Sequence, residues 1–259
     1  MKKITLLAFC LTALTAVSYA QNGKYKIAPF VSPNISWMSP EQKFMESNGS
    51  VIRFGFGLMV DVMFTDNYAI GTGLHINRSG GDMTYLEYDS YQNIPVILER
   101  QRTYNLQYAE IPLTLKLRTN EIGYITYWGQ FGLGLGVNLR AKGDDAIDYL
   151  HENPTNDDNP EWEETSIKSE EIEDEDIKGD INIFRASLIV GGGIEYNVSG
   201  NTSIVAGIVF NNGFTNTLKK EGVRTDNADL VEYNVDKEPV LYDLKAISNF
   251  VELKIGILF

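Results

Sequence analysis

The sequence predicts an all-β protein, an eight-stranded antiparallel up-and-down transmembrane β-barrel with long extracellular loops. Three observations predict this fold. Apolar and polar residues alternate in eight segments of the chain, and these segments are separated alternately by long polar stretches and short turns. The chain also ends on an aromatic residue, Phe259, as the closing strand of an outer-membrane barrel commonly does.

The N-terminal residues have the features of a secretory signal peptide. Lys2 and Lys3 precede an apolar run over 4–17, and Ser18 and Ala20 are small residues at the two positions that a signal peptidase reads. We therefore predict a signal peptide over 1–20 and an exported barrel over 21–259. Cys10 is the only cysteine, so the mature chain is expected to lack disulfides.

The first three predicted strands include the least regular one. The first, 24–37, contains Pro29 and Pro33, which cannot donate hydrogen bonds to a strand ladder. The second and third are joined by a tight turn over 65–67. Their outward residues are Phe54, Phe56, Leu58, Val60, Val62 and Phe64 in the second, and Tyr68, Ile70, Leu74 and Ile76 in the third.

The fourth predicted strand changes its parity along its length. Ile111, Leu113, Leu115 and Leu117 are the outward residues of its second half. The apolar residues of its first half, Tyr104, Leu106 and Tyr108, have the opposite parity. A β-bulge would account for this change, and so would a first half that projects beyond the lipid.

The last four predicted strands carry many glycines on their polar faces. We expect these glycines to make room for larger neighbours such as Trp128 and Phe250. The outward residues are Ile125, Tyr127, Phe131, Leu133, Leu135, Val137 and Leu139 in the fifth strand; Phe184, Ala186, Leu188, Val190, Ile194 and Tyr196 in the sixth; Ile204, Ala206, Ile208 and Phe210 in the seventh; and Ile247, Val251, Leu253, Ile255, Ile257 and Phe259 in the eighth.

The connections between the strands indicate a membrane orientation. Short turns follow the second, fourth and sixth strands, and long connections follow the odd-numbered ones, which is typical of outer-membrane barrels with periplasmic turns and extracellular loops. A soluble sandwich or lipocalin-like barrel would also show alternation. The bulky apolar face and the glycine- and charge-rich polar face favour the membrane barrel instead. Aromatic residues near the periplasmic strand ends predict an interfacial girdle: Phe64, Tyr68, Tyr127, Tyr196 and Phe259.

The net charge of −13 belongs to one segment. Residues 142–180 hold sixteen Asp and Glu against three Lys, so the remainder of the chain is nearly neutral. This balance disfavours nucleic-acid binding. We predict a mobile, solvated acidic extracellular loop over 142–180, with weak divalent-ion binding or partner binding as its function. The segment does not match an EF-hand calcium-binding loop that begins at Asp174, because Lys178 and Arg185 occupy positions where such a loop has acidic ligands.

Charged residues of both signs are predicted to face the barrel interior. An eight-stranded barrel is just wide enough for side chains to fill it, and charges in that space are costly unless they are paired. We therefore predict a structural lumen charge cluster, in which Glu252 and Lys254 join Glu110 and Lys116, and an ion-conducting path is the alternative. Its members are Asp61, Glu110, Lys116, Arg118, Glu195, Glu252 and Lys254, and Arg185 is also predicted to face inward.

The sequence offers little for catalysis. His75 and His151 are its only histidines, and His75 is predicted to face inward, where it would serve as a packed lumen residue or as a general base. No Ser-His-Asp set, metal cluster or cofactor motif is indicated by spacing. We predict a protein that is not an enzyme and needs no cofactor, with a barrel-embedded hydrolase that uses His75 as an alternative.

The fourth strand carries a recognisable motif. Residues 108–116 read Tyr-Ala-Glu-Ile-Pro-Leu-Thr-Leu-Lys, which resembles the Tyr-x-Glu-Ile-Pro-Leu-x-Leu-Lys signature of the PorT-like outer-membrane β-barrel family of Bacteroidetes. The glycine-rich stretches 129–136 and 191–196 and the terminal stretch 253–259 are similar to that family as well. The resemblance implies an eight-stranded barrel without a general enzymatic activity. One member of that family is linked to type IX secretion, and the long acidic insert of this chain departs from the pattern of the motif.

Together these observations predict a structural or interaction protein of the Gram-negative outer membrane that acts through its extracellular loops. An accessory of an envelope secretion or assembly system is the second hypothesis. The expected partners are outer-membrane lipid, the barrel-assembly machinery and an extracellular or envelope protein bound by the acidic loop. Phe259 is predicted to be the assembly signal that the machinery recognises.

Overall fold

A computed structural model describes residues 25–91, 94–152, 162–223, 234 and 239–259. The predicted signal peptide lies outside these residues. The strands are β1 (Tyr25–Pro40), β2 (Glu46–Thr65), β3 (Tyr68–Ser79), β4 (Asp82–Tyr91), β5 (Ile94–Arg118), β6 (Ile125–Glu152), β7 (Trp162–Asp176), β8 (Phe184–Ser199), β9 (Thr202–Gly213), β10 (Glu221–Val223), β11 (Leu241–Asp243) and β12 (Ala246–Leu258). A short 3-10 helix, Lys178–Asp180, follows β7. Within the described ranges, no helix is long and apolar enough to cross a membrane.

Eight of these strands form a closed antiparallel ring. Its order is β1, β2, β3, β5, β6, β8, β9 and β12, and β12 pairs back onto β1. The seam is completed by Phe259, whose N–H donates to the Ile27 carbonyl at 2.9 Å while its carbonyl accepts from the Ile27 N–H at 3.2 Å. The prediction of an eight-stranded up-and-down barrel is therefore confirmed. β1 stays in the ring despite its two prolines, and its ladder with β12 skips positions 32 and 33.

The predicted outward faces are confirmed along the ring. On β2, Phe54, Phe56 and Phe64 are about 60% exposed, whereas Asp61 between them is fully buried. Exposed large apolar side chains recur at alternate positions on every ring strand. Aromatic rings pair near the periplasmic ends, with Phe64 stacked on Tyr68 at 6.1 Å between ring centroids. Contiguous apolar area of this size is rarely left in water, and the outer surface of the ring agrees with the lipid-facing surface that the sequence predicts.

Four strands lie outside the ring and form, with parts of two ring strands, an extracellular extension. β5 has 25 residues and β6 has 28, more than twice the 9–11 that a tilted strand needs to cross a bilayer. Their upper parts pair with β4 and β7, and β10 and β11 pair beside β4. We call this assembly of β4, β7, β10, β11, residues 94–103 and residues 141–152 the extension.

The extension corrects the prediction for the acidic segment. The sequence predicts a mobile, solvated loop over residues 142–180, but their described parts form the upper end of β6, β7 and the 3-10 helix. The long connection predicted over 215–243 also contains two short strands, β10 and β11. High charge did not prevent strand formation, because Ile147 and Ile172 of this hairpin pack with Val96 and Leu98 of β5.

Even-numbered residues point inward along both halves of β5, so the strand itself contains no bulge. The two halves differ only in what surrounds them. Tyr104, Leu106 and Tyr108 point inward on the same face as Glu110 and are fully buried. The extra residue lies on β6, where the ladder with β5 shifts register beside Tyr108. The second alternative is therefore correct: above the lipid, the strand turns its apolar residues inward and forms a core that caps the barrel.

This upper core closes the extracellular end of the ring. It combines residues of the ring with residues of the loops that follow β7, β9 and β11. Its members are Met38, Met45, Met83, Tyr85, Tyr104, Leu106, Tyr108, Ala141, Ile177, Ile181, Leu218, Leu244 and Ala246. A smaller apolar cluster that includes Trp128 lies lower in the ring.

The expectation about lumen glycines is confirmed for Trp128. A Cβ atom built on Gly193 would meet Cζ2 of Trp128 at 2.8 Å, and one on Gly207 would overlap the same ring. The indole therefore occupies space that larger residues on β8 and β9 would fill. Phe250 has a different neighbour, the Arg185 guanidinium, which lies 5.4 Å from its ring centroid.

Candidate functional site

The lower lumen, meaning the half of the ring interior nearer the periplasm, contains a four-residue ion-pair group. Lys116 Nζ lies 2.5 Å from Asp61 Oδ2 and 3.0 Å from Glu195 Oε1, and Arg118 donates to the same glutamate. Lys116 and Asp61 are fully buried. Because these residues come from β2, β5 and β8, the group ties together strands from opposite parts of the ring.

A second group lies in the middle of the lumen around Arg185. Its Nη1 donates to Glu110 Oε2 at 2.8 Å, and its Nη2 donates to Asn211 Oδ1 at 2.6 Å and to the Ser248 carbonyl at 2.9 Å. Glu110 also accepts from Asn211 Nδ2 at 3.1 Å. The buried guanidinium thus joins β5, β8, β9 and β12.

A third group contains Glu252 and Lys254 of β12. Lys254 Nζ lies 3.3 Å from Glu252 Oε1 and 4.6 Å from the ring centroid of Phe30. His75 of β3 lies beside them, with Nε2 at 3.4 Å from Glu252 Oε2. This group spans the β12–β1 side of the ring.

The seven residues predicted for the lumen charge cluster all lie inside the ring, but they form three groups and not one. Lys116 pairs with Asp61 and Glu195, and Glu110 pairs with Arg185. Lys116 and Glu110 belong to different groups because they lie at different heights in the barrel: they are six residues apart on β5, which is about 20 Å along the strand. The sequence shows which charges face inward, whereas the stagger of the ring decides which of them meet.

The geometry around His75 does not match a nucleophilic relay. Ser32 Oγ lies 3.0 Å from His75 Nε2, and the nearest Glu252 oxygen is 3.4 Å from the same nitrogen. A serine–histidine–acid relay needs the hydroxyl on one ring nitrogen and the acid on the other. Here both partners share Nε2, so the arrangement is that of a packed polar contact.

Little free space remains between the three groups. The cavity beside His75, Glu110 and Lys254 has a volume of about 20 Å3. That is room for about one water molecule. With the upper core above it, this part of the lumen is a packed interior held by ion pairs and hydrogen bonds across the ring, although a few buried polar atoms, such as both amide atoms of Asn77, have no hydrogen-bond partner among the described residues.

A further set of buried charges lies in the extension, and we call it the charge network. Arg102 donates to both oxygens of Asp145, with Nε at 2.5 Å from Oδ1 and Nη2 at 2.6 Å from Oδ2. It also contacts Glu175 at 2.8 Å and Asp180 at 3.0 Å. Arg100 binds Asp145 as well. A single arginine therefore links β5 and β6 to β7 and the 3-10 helix.

The network continues towards β4 and β10. Arg100 Nε lies 3.1 Å from Glu87 Oε1, and Lys220 Nζ lies 2.6 Å from the same oxygen and 3.6 Å from Asp180. Tyr85 and Tyr104, whose hydroxyls are 3.2 Å apart, lie on its lower side. The network thus connects the described elements of the extension around its interior.

The electrostatics of the network shift two carboxyl groups in opposite directions. Burial alone would raise the pKa of Asp145, but the hydrogen bonds and charge of Arg102, with the charge of Arg100, lower this pKa below its ordinary value. Burial and the adjacent Asp145 carboxyl raise the pKa of Glu175, despite its contact with Arg102. Of these two carboxyl groups, Asp145 is therefore the more firmly ionised.

None of the charged residues predicted to face the lumen belongs to this network. Its signal was nevertheless present: Arg100 and Arg102 continue the inward parity of Tyr104, and Asp145 lies within the acidic segment. Extending the fourth strand upward would have placed two arginines inside. In the described part of the chain, including this network, no group of three or more His, Cys, Asp or Glu residues is arranged to hold a metal ion.

Comparison with known families identifies the class of the protein. The sequence profile described as outer membrane protein β-barrel domain matches residues 19–219. The chain belongs to this family. A barrel of this family is located in the outer membrane of Gram-negative cells, which agrees with the lipid-facing surface of the ring. No curated protein matches the sequence.

Solved structures show similarity at the level of fold. Neisserial surface protein A shares 9% identity, with a TM-score of 0.41 and coverage of 91% of this chain and 96% of that one. OprG from Pseudomonas aeruginosa shares 9% identity, with a TM-score of 0.39 and coverage of 90% and 93%. The outer membrane protease OmpT from Escherichia coli shares 10% identity, with a TM-score of 0.35 and coverage of 91% and 96%.

Proposed function

We propose that the protein is a non-enzymatic structural or interaction protein of the outer membrane that works through its extension. The observation that carries the proposal is the contrast between the two halves of the molecule. Inside the membrane the lumen contains three groups of ion-paired side chains, and the cavity beside His75 has room for about one water. Outside it, the buried Arg102–Asp145 contact holds strands that extend well beyond what membrane crossing requires.

The acidic face of the extension is the surface that this function would use. Glu171 and Glu173 on β7 are exposed, and the bulge at Asp174, with φ of 53°, is fixed by backbone and side-chain contacts to Asp144 and Lys142. A negative surface held on an ordered hairpin fits a positively charged extracellular or envelope protein, because complementary charge speeds association and selects the partner.

The test compares two variants in a strain that lacks the gene. The first replaces residues 144–174 with a short Gly-Ser turn and changes Arg100 and Arg102 to Gln, so that no buried cation is left unpaired. The second keeps the hairpin and changes only Glu171 and Glu173 to Gln. We expect both proteins to insert and neither to restore the wild-type surface phenotype. Full restoration by the shortened protein would refute the proposal.

A second candidate function is an accessory role in envelope secretion or assembly. The motif over 108–116 favours it, because it is similar to the PorT-like signature and contains both Glu110 and Lys116 of the lumen groups. Deleting the gene and measuring secreted and surface proteins tests it, and an unchanged secreted protein profile would remove its support.

The hydrolase alternative is tested by His75→Ala, which we expect to retain full cellular activity.

A further inference from the structure

An open cleft lies beside β10 and β11, where these strands leave the ring, and no function discussed above uses it. Its volume is about 490 Å3. We call it the rim cleft. Its lining residues are Asn182, Asn216, Leu218, Lys219, Lys220, Glu221, Asp243, Leu244 and Lys245.

Two lysines of the rim cleft point away from the barrel. Leu218 and Leu244 are 2% and 1% exposed and belong to the upper core, so they face inward. Successive residues of an extended chain face opposite sides, and Lys219 and Lys245 are accordingly exposed. Lys220 returns to the inner side, where it joins the charge network.

The pairing of β10 with β11 aligns like charges on this outer face. Glu221 lies directly opposite Asp243. The Leu244 N–H donates to the Lys220 carbonyl at 2.8 Å, so the two outward lysines, Lys219 and Lys245, flank this bond on neighbouring segments of the chain. Like charges directly opposite on neighbouring strands are destabilising.

These charges are not compensated by other described residues. Among the part of the chain that the structure describes, no ion pair involves Lys219, Lys245, Glu221 or Asp243. Within the described residues, the two lysines and the two acids therefore form a positive pair and a negative pair, neither of which has an ion-pair partner. Groups of the opposite charge from outside would stabilise both pairs.

The order of the two pairs relative to the membrane is defined by the chain. Lys245 immediately precedes Ala246, the first residue of ring strand β12, and the acidic pair lies two residues farther out. Exposed apolar side chains, including Phe214 and Phe184, mark the lipid boundary of the neighbouring ring strands. Moving outward from the lipid, the surface is apolar, then positive, then negative.

The backbone around the rim cleft is fixed by side-chain amides. Asn216 Oδ1 accepts from the Leu218 and Ala246 N–H groups, at 3.1 Å and 3.0 Å. On the other side, Gln42 donates to the Asp243 carbonyl at 2.8 Å and accepts from the Lys245 N–H at 3.0 Å. The charged pairs are therefore presented on a prearranged frame, which reduces the entropy lost on binding.

We propose that the rim cleft binds a zwitterionic phosphoethanolamine group, with the phosphate on Lys219 and Lys245 and the ammonium on Glu221 and Asp243. The phosphate of such a lipid headgroup lies nearer the membrane than its ammonium, which matches the order of the two pairs. Each contact is a charge-assisted hydrogen bond, the stronger class of such bonds. Binding also relieves the repulsion within each pair.

The experiment measures binding to the full-length protein in a nonionic maltoside detergent by calorimetry. The probes are short-chain phosphatidylethanolamine, phosphatidylglycerol with the same acyl chains, and soluble phosphoethanolamine. We expect the ethanolamine lipid to bind about ten-fold more tightly than the glycerol lipid, from the added charge-assisted bonds. Binding of soluble phosphoethanolamine as tight as that of the lipid identifies a soluble ligand, and a requirement for the acyl chains identifies a lipid.

Two double variants separate the two charged pairs. Lys219→Gln with Lys245→Gln should weaken binding of both lipids by about ten-fold. Glu221→Gln with Asp243→Asn should abolish the preference for ethanolamine over glycerol. Lys178→Gln, an exposed lysine of the 3-10 helix, is the matched control and should change neither value.

Folding of each variant is checked by its heat-dependent gel mobility. Removing a like-charge pair does not weaken the strands, so both double variants are expected to fold. Wild-type affinity in the lysine variant, or an unchanged lipid preference in the acidic variant, would overturn the proposal.

Discussion

Arg185 on β8 and Glu110 on β5 form a buried ion pair at 2.8 Å across the intervening strand β6. A Cβ atom on Gly134 of β6 would meet the Glu110 carboxyl carbon at 2.7 Å, so this glycine provides the space in which the pair forms. The ion pair therefore depends on residues of three strands, β5, β6 and β8.

Removing Arg185 should strongly destabilise the barrel. Arg185→Ala leaves Glu110 buried without its cation, a change that typically costs about 3–5 kcal/mol. Arg185→Gln combined with Glu110→Gln should recover most of the loss, since neither residue is then charged. Urea unfolding in detergent micelles measures these free energies. Arg140→Ala is the control, because its pair with Asp174 is exposed and contributes about 0–1 kcal/mol. Equal stability of R185A and R140A would contradict the prediction.

Gly207 should not tolerate a side chain. Gly207→Ala places a methyl group into the Trp128 ring, and overpacking of this kind costs about 1–3 kcal/mol. Gly129→Ala is the matched control, because the nearest atom to its added Cβ is 3.8 Å away. The free energy of unfolding and the tryptophan emission of both variants check this expectation. A wild-type spectrum and stability for G207A would show that the indole has room to move.

The stability of the extension should depend on pH with a maximum in the mildly acidic range. Asp145 has a lowered pKa in the folded protein, so its contribution is present above its ordinary pKa and is lost as the pH falls through the lowered value. Glu175 has a raised pKa, so the network loses stability as the pH rises towards and through that value. Both contributions are complete only between the ordinary pKa of Asp145, 3.8, and that of Glu175, 4.5, and each is lost as the pH moves from there towards the shifted value.

Hydrogen exchange of the amides over 142–149 and 168–176, corrected for intrinsic rates, measures this dependence. Asp145→Asn should remove the acid side of the profile, and Glu175→Gln should remove the loss on the higher-pH side. Asp66→Asn, on the exposed periplasmic turn after β2, should leave the profile unchanged. A profile with no maximum in the wild-type protein would contradict the assignment of both carboxyl groups.

Phe259 is expected to act as an assembly signal, a role separate from its two backbone bonds to Ile27. Phe259→Ala keeps the backbone and removes the aromatic ring, so it should reduce insertion in cells while the purified protein refolds in detergent as the wild type does. Deleting Phe259 removes the backbone bonds as well and should impair both processes. Normal insertion of the deletion variant in cells would refute the role of Phe259 as a signal.

The filled lumen should not conduct ions. With room for about one water between the ion-paired groups, and with the upper core above them, planar bilayers that contain the purified protein should remain at baseline conductance. Single-channel recording at neutral pH measures this. Stable, stepwise openings would contradict the description of the lumen as a packed interior.

Much of the barrel follows from the sequence because a strand has a period of two. The alternation of Phe54, Phe56 and Phe64 with Asp61 fixes which side chains meet lipid and which meet the interior, whatever the neighbours are. The inward position of His75 and of the seven predicted charges follows from the same local rule, as does the ring of eight strands from the count and order of segments.

The tertiary structure decided what local alternation cannot. Which charges meet depends on the stagger between strands, so Lys116 is paired with Asp61 and Glu195 and lies about 20 Å along β5 from Glu110. The structure also decided that Tyr104, Leu106 and Tyr108 face inward above the lipid and that the acidic segment forms strands. Burial there depends on contacts between segments far apart in sequence, such as Arg102 with Asp145 and Glu175, and these contacts exist only once the ring has closed.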